Sequence, residues 1–74
     1  MNAKKATFEI LDHYALEPRR RFSGYGITRQ VMEYTGDIHY PATILRYMRE
    51  WRRDPANKPV KNVDKKKSLY EVGV

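Results

Sequence analysis

The chain has no cysteine, which excludes a disulfide framework and thiolate metal sites and leaves the core to hold without covalent staples. A reducing cytosol suits such a composition. No apolar run approaches the roughly 18 residues that a membrane span requires, and Met1–Leu16 lacks the uninterrupted apolar block of a signal peptide. The sequence therefore reads as a soluble, cytoplasmic protein with no membrane partner. Histidine is scarce too: His13 and His39 are the only two, they fall in different expected elements, and neither begins a metal-ligand spacing such as His-x-x-x-His. Asp12, beside His13, points in another direction on a helix, and no serine stands in a nucleophile elbow. Gly24-Tyr25-Gly26 lacks the third glycine of a dinucleotide fingerprint and the Gly-Lys-Ser/Thr of a phosphate loop. A chain of 74 residues also has little room for a cleft of enzyme size. The expectation is a protein that is not an enzyme, with no metal, no cofactor and no small-molecule ligand.

What is present is positive charge. Fifteen Lys and Arg against nine Asp and Glu give a formal charge of +6. A basic domain of this kind meets acidic partners, although a net charge of about 2 to 8 is ordinary for a small soluble domain. Position carries more information than the total. The cations gather at Arg19–Arg21, at Arg46–Arg53 and at Lys65–Lys67. With 41% hydrophobic residues there is material for one domain and one small core, and a chain this short buries only roughly 60 to 65% of its unfolded surface.

Periodicity divides the chain into elements. Thr7, Ile10, Leu11 and Tyr14 recur at helical spacing, with Ala3 and Ala6 near the same side, which predicts helix one over 4–15. Pro18 disfavours helical geometry at Glu17, and Gly24 and Gly26 loosen the backbone, so the segment from Leu16 is a connection with room for a short strand at Arg21–Phe22. Ser23 can cap the next helix; Ile27, Val31 and Tyr34 continue the period up to Gly36, giving helix two over 24–35. Asp37, Ile38, His39 and Tyr40 form a short connector of the length that joins a helix-turn-helix, and Pro41 suits the first position of helix three, predicted over 41–54 and fading at Asp54-Pro55. After a polar loop, two runs of β-type residues over 60–72 flank Lys65, Lys66 and Lys67 and read as a β-hairpin, with Leu69, Tyr70 and Val72 to bury.

Helix three is divided by composition. At about 100° per residue, Ile44, Tyr47, Met48 and Trp51 fall on one arc, and Ala42, Thr43, Arg46, Arg49 and Arg53 on the other. Tyr47 and Trp51 share the arc of Ile44 and Met48, so they are expected in the core and not as base-stacking platforms. Arginines on an exposed helix face are most often simply solvated, and the arrangement acquires meaning only if the opposite arc docks.

Three helices followed by a lysine-tipped hairpin, in this order and with these connections, resemble the winged helix-turn-helix domain of bacterial and phage transcriptional regulators. The resemblance covers nearly the whole chain. Thr43-Ile44-Leu45-Arg46-Tyr47-Met48-Arg49 is similar to the Thr-Val-x-Arg-x-Leu-Arg pattern of recognition helices in that class, Ile27-Thr28-Arg29-Gln30-Val31 resembles the start of the preceding helix, and Ser68-Leu69-Tyr70-Glu71-Val72 the returning strand of a wing. The chain departs from the pattern after helix three, where Pro55 and Pro59 replace the usual apolar-glycine-apolar turn. The implied fold is α+β: a three-helix winged helix-turn-helix with a C-terminal two-stranded β-hairpin wing, as a single domain over 1–74.

The resemblance also implies a function, sequence-preferring binding of double-stranded DNA by a small transcriptional regulator. Helix three would enter the major groove, with Tyr40, Ala42, Thr43 and Arg46 at or beside base edges. Arg46 stands out, because its planar fork can bond both acceptors of guanine, a contact worth about 1 to 3 kcal/mol of discrimination. Arg49 and Arg53 would meet phosphates, while Lys65–Lys67 at the wing tip and Arg19, Arg20 and Arg21 would grip the flanking backbone. A homodimer held through helix one or the N-terminal end is compatible with this layout, since many such regulators read two half-sites. The alternative is a winged-helix protein–protein interaction module of a phage or transcription complex, which should expose an apolar patch, with Phe22, Tyr25 and Tyr40 as its candidates. Double-stranded RNA is a weaker partner, because the A-form major groove is too narrow for a helix.

Overall fold

The computed structural model describes residues 2–17 and 19–73. It is a small α+β domain in the order α1 (Ala3–Ala15), β1 (Arg21–Ser23), α2 (Gly24–Thr35), α3 (Pro41–Arg53), β2 (Val60–Asp64), β3 (Leu69–Val72). Each helix starts and stops for a local reason. The Asn2 side chain accepts from the Lys5 N–H at 2.8 Å and Ser23 Oγ from the Gly26 N–H at 2.8 Å, satisfying donors that a helix N-terminus otherwise leaves unpaired. Gly36 closes α2 with φ at +74°, a left-handed conformation that glycine adopts without a Cβ penalty, and its N–H donates to the Met32 carbonyl. Pro41 occupies the first turn of α3, and Asp54 caps its end.

The three strands form one antiparallel sheet with β3 in the centre, in the order β1-β3-β2. The hairpin expected over 60–72 is present as β2 and β3, and the short strand expected at Arg21–Phe22 joins it, so the sheet has three strands and not two. Arg21, Phe22 and Ser23 pair with Glu71, Tyr70 and Leu69 and add a third strand to it. The strand turns Phe22 inward, where its ring stacks on Tyr14 at 4.4 Å and on Tyr70 at 5.8 Å between centroids. Phe22 is only 4% exposed, so it belongs to the core and not to an exposed patch with Tyr25 and Tyr40.

The core lies between the helices and one face of the sheet: Ala6, Leu11 and Tyr14 from α1, Ile27 and Val31 from α2, Ile44, Met48 and Trp51 from α3, and Val60 and Val72 from the hairpin. Thr7 and Thr28 are buried with them at no cost in unpaired donors, since each hydroxyl donates to the carbonyl four residues back, Ala3 and Gly24, at 2.7 Å. Tyr34, expected on the buried face of α2, is instead 54% exposed and donates from its hydroxyl to Glu9 of α1 at 2.7 Å.

Three contacts fix how α3 sits. Its inner arc of Ile44, Met48 and Trp51 is buried, and Trp51 Nε1 donates to Asp12 Oδ1 on α1. At the turn before it, Thr35 Oγ1 gives its one hydrogen to the Val31 carbonyl and lies 3.0 Å from His39 Nε2, so the imidazole must supply the donor, with the proton on Nε2 in the neutral ring. At the start of α2, the Gly24 N–H donates to the Ser68 carbonyl, and a Cβ added there would lie 3.0 Å from Ser68 Oγ and 3.2 Å from Leu45 Cδ2. Glycine is what lets α2, α3 and the hairpin close on one another.

Candidate nucleic-acid interface

Opposite the buried arc of α3, Ala42, Arg46, Arg49 and Arg53 are all exposed. The helix is about 20 Å long at roughly 1.5 Å per residue, so this face extends over several turns. Tyr40, the residue before Pro41, is 73% exposed, while Thr43 lies half-buried at the border of the face. Ion pairs among the described residues join Lys4 to Glu50, Arg20 to Glu17, Arg21 to Glu71 and Arg29 to Glu33. None of these involves an arginine of α3. Glu50, the one carboxylate on the helix, turns toward Lys4 of α1. Arg46 is held by an aromatic instead, its guanidinium carbon 5.4 Å from the centre of the Tyr47 ring.

Toward the end of α3, Arg49, Arg52 and Arg53 line one shallow depression. Arg52 is an addition to the residues singled out from sequence. Its signal was its position three after Arg49, a spacing that makes helix neighbours. Two of these arginines also have a structural reason to be there, because Arg52 and Arg53 in the last turn face the partial negative charge of the helix end.

The hairpin supplies a second cluster. Lys65, Lys66 and Lys67 are exposed at its tip, and Asp64 Oδ1 accepts from the backbone N–H groups of Lys66 and Lys67 at 3.0 and 3.2 Å, so one carboxylate shapes the turn beneath three lysines. Ser68 leaves the turn with φ at +52°, and the ladder carries an irregularity between Asn62 and Asp64. The elements that carry the two basic clusters meet at Gly24, where a Cβ would touch the side chains of Leu45, the residue before Arg46, and Ser68, the residue after Lys67.

Arg19–Arg21 is arranged differently. Arg19 is exposed, but Arg20 Nη1 donates to Glu17 at 2.7 Å and lies over the Tyr14 ring, and Arg21 Nε donates to Glu71 across the β1–β3 pair at 3.1 Å. The hydrogen bond from Arg20 to Glu17, and then the Glu17 charge, raise the Arg20 guanidinium further above its already high pKa. Two of the three cations expected at a flanking backbone therefore have intramolecular carboxylate partners.

Comparison of the chain with protein-family models, with curated proteins and with solved structures found no match in any of the three.

Proposed function

We propose that this chain is a winged-helix DNA-binding protein, acting as a small transcriptional regulator, that lays α3 in the major groove of double-stranded DNA and sets the hairpin tip on the backbone as a wing. The observation that carries the reading is the outer face of α3, where Arg46, Arg49 and Arg53 stand exposed without an ion pair among the described residues. An unneutralised row of guanidiniums on a helix is matched by a polyanion whose groove, about 12 Å wide, admits one helix. Tyr40, Ala42, Thr43 and Arg46 then lie nearest the bases. Arg46 reads guanine, and Arg49, Arg52 and Arg53 take phosphates. Lys65–Lys67 take the flanking phosphates beyond the groove, and release of condensed counterions makes the affinity fall steeply with salt.

A panel of duplexes differing at single base pairs tests this. Arg46→Ala should lose discrimination among the duplexes, by about 1 to 3 kcal/mol at the base pair it reads, while Lys66→Ala should weaken binding to all of them alike. Equal, sequence-independent losses from both variants would exclude base readout by Arg46. A second reading, a winged-helix module for a protein partner, draws on the exposure of Tyr25, Ile38 and Tyr40. It predicts no salt-dependent binding to any duplex.

A further inference from the structure

A concavity of different composition shares no lining residue with the arginine face. It is a groove of about 470 Å³ between α1 and α2, lined by Ile10, Tyr14 and Tyr34 together with Glu9, Glu17 and Glu33, with His13, Arg20 and Gln30 completing it. More of its lining is apolar than polar. Three glutamates against Arg20 and against Arg29, which lies 3.8 Å from Glu33, leave a local formal charge of −1, with His13 neutral, in a chain that carries +6. No residue of α3 or of the hairpin takes part.

We infer that this groove is a docking site for a basic, amphipathic segment of a partner protein, which seats an apolar side chain against Ile10, Tyr14 and Tyr34 and sets lysines or arginines against Glu9, Glu17 and Glu33. Charge complementarity selects this occupant. A nucleic acid is repelled by the carboxylates, and a second copy docked across a two-fold axis would set the acidic rim against itself. The groove is also too open to enclose a small cation on most of its surface, as small-molecule sites do. A helix or extended segment lying along α1 and α2 uses the open side, as an amphipathic helix does in an apolar groove. The carboxylates retain capacity for it: one Glu9 oxygen accepts from Tyr34, one Glu17 oxygen from Arg20, and one Glu33 oxygen lies 3.8 Å from Arg29, while each ionised carboxylate offers about four acceptor positions. The exposed Tyr34 ring beside them adds a face on which a cation can rest. The site does not depend on the DNA reading, and because it shares no residue with the face of α3, both can be occupied at once.

The test is selection of a display library of short random peptides on the full chain, followed by backbone amide mapping of the best peptide. Enriched peptides should combine Lys or Arg with Leu or aromatic residues, and the synthetic peptide should move resonances in 9–17 and 30–34 while leaving 46–53 in place. The double variant Glu9→Gln/Glu33→Gln, which keeps an amide oxygen to accept from Tyr34, should stay folded with a melting temperature within a few degrees of wild type and bind about tenfold more weakly. Enrichment of acidic peptides, absence of enrichment over a blank surface, shifts centred on α3, or unchanged affinity in the double variant would each overturn the inference.

Discussion

The indole N–H of Trp51 donates to the carboxylate of Asp12 at 3.1 Å, joining the buried side of α3 to α1. The ring itself is almost fully buried, among the side chains that hold the outer face of the same helix in its orientation. Trp51→Ala should cost about 3 to 5 kcal/mol, a large share of what so short a chain has available. Trp51→Phe keeps much of the packing and gives up the hydrogen bond to an exposed carboxylate, about 1 kcal/mol of that loss. Chemical denaturation of the two variants checks the order, and a wild-type midpoint for Trp51→Ala would mean that α3 is turned about its axis.

Gly24→Ala probes the junction of the two basic clusters. The new methyl group meets Ser68 Oγ at 3.0 Å and a Leu45 methyl at 3.2 Å, closer than ordinary contact allows, so both side chains must give way by a few tenths of an ångström. Overpacking of this kind costs roughly 1 to 3 kcal/mol. Amide shifts should extend to Leu45 and Ser68. A variant with wild-type stability and unmoved Ser68 would show that no close packing exists there.

Tyr34 gives the groove between α1 and α2 a spectroscopic handle. Its hydroxyl donates to Glu9, and that hydrogen bond, reinforced by the carboxylate charge, raises the phenol above the ordinary tyrosine pKa. The bond requires the protonated phenol. Its contribution is therefore present below the ordinary tyrosine range and is lost as pH rises through the raised value. Ultraviolet titration, with Tyr34→Phe identifying the signal, should show Tyr34 ionising at lower pH in Glu9→Gln than in the wild type. Coincident titrations would remove Glu9 as its partner.

The helices were legible because their punctuation is local. Ser23, Gly36 and Pro41 each act within one turn, and the buried arcs of α1 and α3 follow from spacing alone. What was not legible is long-range. A three-residue strand is too short to show alternation, so neither the pairing of β1 with β3 nor the burial of Phe22 under Tyr14 appears in the sequence. Arg20 and Glu17 stand three apart, and their pairing was available to inspection. Arg21 and Glu71 are fifty residues apart, brought together only by the register of the sheet. The acidic groove was invisible for the same reason, since Glu9 comes from α1, Glu17 from the connection after it and Glu33 from α2, and they converge only when α1 and α2 pack.

The outer face of α3 is best examined by titrating random-sequence duplex DNA into the isotopically labelled chain and following backbone amide shifts at two salt concentrations. DNA binding through this face predicts shifts concentrated in 40–53 and 65–67, with affinity dropping sharply at the higher salt. An absence of shifts at low salt, or shifts confined to the groove between α1 and α2, would contradict it.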